Sequence, residues 1–70
     1  MDSRKIKSKM VLYGINSGMM VSELNAQGVT ISRNTWFKKL RGETEFTRKE
    51  IEGVAKVLNL TDEEIIDFFF

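Results

Sequence analysis

Seventy residues, 41% of them hydrophobic, are enough for one domain with a small core, since a chain of this size hides only about 60% of its unfolded surface on folding. Cysteine and histidine are both absent, which excludes disulfide staples and thiolate metal clusters and removes the commonest general base and imidazole ligand. The net charge is only +1, yet residues 1–42 hold eight basic side chains against two acidic (+6), whereas residues 43–70 hold three against eight (−5).

There is no proline, and the apolar residues recur at helical rather than alternating spacing, which predicts an all-α domain of five short helices over residues 1–70. The first helix is expected from Ser3 to about Tyr13. Ile6, Met10 and Tyr13 fall on one face, Val11 and Leu12 widen it, and Lys5, Lys7 and Lys9 lie largely outside it. Those lysines are either plainly solvated or drawn to phosphates or an anionic membrane surface. Gly14 ends the pattern. Asn16, Ser17 and Gly18 then read as a turn, and Met20, Val21 and Leu24 mark the buried side of a second helix that stops at Gly28.

Val29, Thr30 and Ile31 lead into a third helix opened by Ser32, a good N-cap, and stopped by Gly42. Trp36 and Leu40 are four apart and share a face that can be buried. Arg33, Asn34, Lys38 and Arg41 project elsewhere, with donors suited to guanine edges, adenine edges and phosphates. Further on, Thr47-Arg48-Lys49-Glu50 and Thr61-Asp62-Glu63-Glu64 both match the capping box. The first starts the cleanest amphipathic helix of the chain, with Ile51, Val54, Ala55 and Leu58 on one face and Asn59 at its end. The second starts a fifth helix that contributes Ile65, Ile66 and some of Phe68, Phe69 and Phe70.

Catalytic chemistry is thinly provided for. Glu43 with Glu45, or Asp62 with Glu63 and Glu64, would need a concave pocket to shift their acidity, and solvated charge or helix-end stabilisation explains them better. No enzymatic activity, cofactor or metal is therefore expected. No apolar run approaches the roughly 20 residues that cross a bilayer, and the N-terminus lacks a hydrophobic signal segment, so no membrane partner and a cytoplasmic location are expected.

Two helices joined by a short glycine-containing turn, the second polar near its start, follow the helix-turn-helix plan. Gly18-Met19-Met20-Val21-Ser22-Glu23-Leu24, Ile31-Ser32-Arg33-Asn34-Thr35-Trp36, Lys38-Lys39-Leu40-Arg41-Gly42 with Phe46-Thr47, and Leu60-Thr61-Asp62-Glu63-Glu64-Ile65 carry a resemblance over most of the chain. On these segments it resembles the Cro and phage-repressor class, the XRE family of small phage-encoded regulators. That resemblance implies a compact, lambda-repressor-like five-helix domain containing a helix-turn-helix. The sequence departs from the family at Met20 and Val21, where threonine and glutamine are common, so the usual cap and a frequent phosphate contact of the second helix are missing. The stretch from Leu24 to Ser32 is one residue longer than the family pattern, and Thr30 stands where the turn glycine usually lies, leaving Gly28 to make the turn.

Carried onto matching positions, the resemblance implies that Arg33, Asn34 and Lys38 read bases. Arginine pairs bidentately with guanine, asparagine with adenine, and lysine serves guanine or phosphate. Ser32 and Thr35 are candidate phosphate contacts, Ser32 equally a simple cap, and Lys39 and Arg41 are expected to attract phosphates without regard to sequence. Trp36 is assigned to the core rather than to base stacking. Phe37 is left between a thymine methyl, packing on the fourth helix, and neither. Phe68, Phe69 and Phe70 either close the core or cover a partner subunit. The expected partner is a double-stranded DNA operator, bound by two copies as a homodimer formed beforehand or on DNA. The implied role is a phage or prophage repressor in the host cell. A protein-interaction module of the same fold, such as a repressor antagonist, is the alternative, and salt-sensitive DNA affinity separates the two. The charge asymmetry leaves two readings: one polyanion-facing surface opposite an acidic one, or two ordinary solvated faces.

Overall fold

A computed structural model describes residues 1–70 as five helices and no strand: α1 (Ser3–Leu12), α2 (Ser17–Ala26), α3 (Arg33–Leu40), α4 (Arg48–Leu58) and α5 (Asp62–Phe69). Every helix starts on a side chain that accepts from an otherwise unpaired N–H: Asp2, Asn16, Ser32, Thr47 and Thr61. At Thr47 and Thr61 the reciprocal bond from the N3 glutamate is also made, so both capping boxes are complete. Asn16 corrects the expectation of an uncapped second helix. Its Oδ1 accepts from the Met19 N–H at 2.9 Å, and Ser17 and Gly18 are helical rather than part of a turn.

The first four helices end alike, on a left-handed residue whose neighbours close the last carbonyls: Gly14, Gly28, Gly42 and Asn59. Gly28 makes the turn between α2 and α3. At φ +88° it donates to Asn25 O, and the Val29 N–H reaches Leu24 O at 2.9 Å. A side chain at Gly28 would meet open space but would strain the backbone.

The core joins all five helices and the turn. Ile6 and Met10 of α1, Met20 and Leu24 of α2, Trp36 and Leu40 of α3, Val54 and Leu58 of α4, and Phe68 and Phe69 of α5 are buried together with Val29 and Ile31. Trp36 is fully buried; its indole N–H donates to Ser17 Oγ and its ring meets Phe46 edge-on, which in turn meets Phe69. Two apolar expectations fail: Val11, Leu12 and Tyr13 are exposed, because α1 turns only its Ile6 and Met10 side inward, and on α5 Ile66 faces outward. The terminal phenylalanines divide, with Phe68 and Phe69 buried and Phe70 82% exposed.

Gly53 lets α2 and α4 approach: a carbon added there would sit 2.7 Å from Leu24 Cδ2. Helix α1 runs against α5 through Lys5–Asp67 (2.7 Å) and Lys9–Glu64 (2.8 Å), and the Asp2 N–H donates to Phe68 O at 3.0 Å.

Candidate nucleic-acid interface

Helix α3 is fixed from below and open above. Trp36, Lys39 and Leu40 face the interior, while Asn34, Lys38 and Arg41, spaced i, i+4 and i+7, form an exposed stripe on the opposite side. Arg33 is exposed on the flank of that stripe. Its guanidinium leans onto the start of α2, where a carbon added at Gly18 would lie 3.2 Å from Arg33 Nη2. The three base-reading candidates thus share one open surface, with Arg33 bridging toward the second helix rather than standing in line with the other two. None of Arg33, Asn34 and Lys38 takes part in the six ion pairs of the fold.

Lys39 overturns its phosphate assignment. Only 7% of it is exposed, and its Nζ donates to Glu50 Oε1 at 2.7 Å and to the Glu45 carbonyl at 3.0 Å. The same Glu50 oxygen accepts the Thr47 N–H of the α4 capping box at 2.7 Å. Burial raises the Glu50 carboxyl, but the hydrogen bonds from Lys39 and Thr47 outweigh it and hold the group below its ordinary value of 4.5. The last turn of α3 is thereby tied to the first turn of α4. An ammonium held in this way is withheld from any external anion.

The remaining phosphate candidates differ in availability. Ser32 Oγ accepts from the Thr35 N–H and lies 3.0 Å from Thr35 Oγ1, so its role in the fold is the cap. Thr35 is half-buried beside it. Arg41 is exposed but pairs with Glu43 just beyond the helix. Phe37, 40% exposed, lines a groove between α1 and α3.

Ion pairs account for part of the charge division of the sequence. Of the eight basic residues before Glu43, Arg4, Lys5, Lys9, Lys39 and Arg41 sit in ion pairs, the last four with acids of the second segment. Lys7, Arg33 and Lys38 have none. The opposite balances of the two segments thus serve in part to clip helices together. Lys9 is raised above its ordinary 10.5, chiefly by its bond to Glu64, and Glu64 is lowered by the same bond. Asp2, capping α1, is lowered by its hydrogen bond from Arg4.

Asn25 is a residue whose role the sequence pattern did not signal. Its amide donates to Val21 O (2.7 Å) and to Ile31 O (3.0 Å), strapping the turn that precedes α3 back onto α2. No family model, curated protein or solved structure matches this chain.

Proposed function

We propose that this chain is a sequence-specific DNA-binding regulator of the lambda-repressor-like helix-turn-helix kind, with α3 in the major groove. Its resemblance to the Cro and phage-repressor class suggests a phage or prophage repressor that occupies an operator and excludes polymerase. The observation that carries the reading is the open surface of α3: amide and cationic donors of Asn34, Lys38 and Arg33, free of ion pairs, on a helix anchored beneath by Trp36, Leu40 and the Lys39–Glu50 pair. Asn34 and Lys38 read base edges, Arg33 reaches a base or the phosphate nearest the start of α2, and Arg41 and Thr35 meet backbone phosphates. A helix this short covers only a few base pairs, so two copies share one operator.

Selection of bound sequences from a random duplex pool tests this directly. A two-fold motif is expected, and Asn34→Ala is expected to cost about 1–3 kcal/mol on the selected site with helicity unchanged. Binding without sequence preference, or full retention of preference by both Asn34→Ala and Lys38→Ala, overturns the proposal.

A further inference from the structure

Two exposed apolar features lie on different sides of the α1 helix and carry opposite charge. The first is a groove of about 510 Å³ between the later turns of α1 and α3, where Val11 (79% exposed) and Phe37 stand over Met10, Ile15 and Leu40. Lys7, which has no ion-pair partner, forms its rim on α1, and Arg41 flanks it on α3. The second is the outward stripe of α5. The other side of that helix is already occupied, since Glu64 and Asp67 turn toward Lys9 and Lys5 of α1. Glu63, Ile66 and Phe70 are spaced i, i+3 and i+7, with Ile66 63% exposed, and Asp62 borders them.

We infer that the α5 stripe of one copy docks into the α1/α3 groove of a second copy. An amphipathic helix presenting an i/i+4 apolar pair fits an apolar groove through those anchors, and the acids beside Ile66 and Phe70 meet the Lys7 rim. The obvious alternative, α5 against α5, offers the acids Asp62 and Glu63 no basic partner, since every charged side chain of that helix is acidic. Ile66 and Phe70 are the anchors; Glu63 and Lys7 set the register. The patches are small, so the contact belongs to the weak, transient class. It does not require that the chain bind DNA.

Sedimentation of the full chain without DNA, across a concentration series up to about 1 mM, tests it. Self-association is expected, weakened at least about five-fold by Lys7→Glu or by Glu63→Lys alone and restored to within about two-fold of the original by the two together. Ile66→Ser and Val11→Ser, both at exposed positions, are each expected to abolish it while the thermal melt stays intact. A chain that remains monomeric, or an association untouched by these changes, or a double charge reversal no better than either single one, overturns the assignment. So does a monomeric chain whose groove binds a synthetic acidic amphipathic helix, which would give the groove to a foreign partner.

Discussion

Lys39→Met isolates the buried pair between α3 and α4. Methionine keeps much of the length and apolar stem of lysine but removes the ammonium, leaving the Glu50 carboxylate buried with only its Thr47 bond and the Glu45 carbonyl without its donor. Breaking a buried pair from one side costs about 3–5 kcal/mol, and the surviving Thr47 bond puts this case near about 3. A domain of this length holds roughly 5 kcal/mol in total, so a urea melt at pH 7 is expected to lose more than half its stability. Lys39→Met with Glu50→Gln is expected to regain most of the loss, because glutamine still accepts the Thr47 N–H and carries no charge. The pH dependence changes as well. In the native chain Glu50 sits below 4.5, so its stabilisation is complete above that value and is lost as pH falls through the folded one. Without Lys39 the carboxyl loses the strongest of the influences that lower it and rises relative to the native chain, so the deficit of the variant shrinks as pH falls from 7 toward about 4. A loss under about 1 kcal/mol at pH 7, or a double variant no more stable than Lys39→Met, refutes the reasoning.

Two glycines in helices should respond oppositely to alanine. Gly18→Ala is expected to raise the thermal midpoint by the helix-propensity gain of about 0.5–1 kcal/mol, since only the tip of the long Arg33 side chain must move, whereas Gly53→Ala is expected to lower it because overpacking of about 1–3 kcal/mol against fully buried Leu24 outweighs that gain; shifts of the same sign would contradict the packing. Trp36→Ala should cost roughly 3–5 kcal/mol and leave the chain largely unfolded by circular dichroism, and a near-normal melt coupled to lost DNA affinity would return Trp36 to base stacking. Asp2 and Glu64, like Glu50, are lowered on folding, so an acid titration by fluorescence should show stability falling below about pH 4.5 and holding between there and neutral pH. Arg41→Ala should flatten the log-log salt slope of DNA binding by about 0.9, and an unchanged slope would remove Arg41 from the phosphate contacts.

Local information made the helices legible. Ser32, Thr47 and Thr61 announced three starts, Gly14, Gly28, Gly42 and Asn59 four stops, and a bond to the next few residues is all that each of these requires. The spacing of Trp36 and Leu40 likewise revealed the inner side of α3, and with it the exposure of Asn34 and Lys38. Lys39 was misread because residue type argued for solvent, while its partner Glu50 lies on another helix and is known only once α3 and α4 meet. The same limit applies to the charge division: Lys5 and Lys9 find Asp67 and Glu64 across nearly the whole chain, a pairing that no window of sequence contains. On α1, hydrophobic character at Val11 and Leu12 widened the apparent inner face, yet the way the helix is seated leaves only Ile6 and Met10 buried. What binds the exposed stripe of α3 rests on residue chemistry and resemblance.

The hydrogen bond from Asp2 to Phe68 brings the first and last residues of these seventy to one spot, where Met1 and Phe70 border a common depression. The path of the chain is therefore close to a ring. Anything fused before Met1 and anything fused after Phe70 leave from the same side, so a label at either point reports on the same neighbourhood. A short peptide bridge across that gap, with new ends cut in the exposed Gly42–Thr44 bend, would preserve every helix intact. In such a rearranged chain α4, α5, α1, α2 and α3 would follow in that order, and the partners now farthest apart in sequence, α1 and α5, would become nearest neighbours.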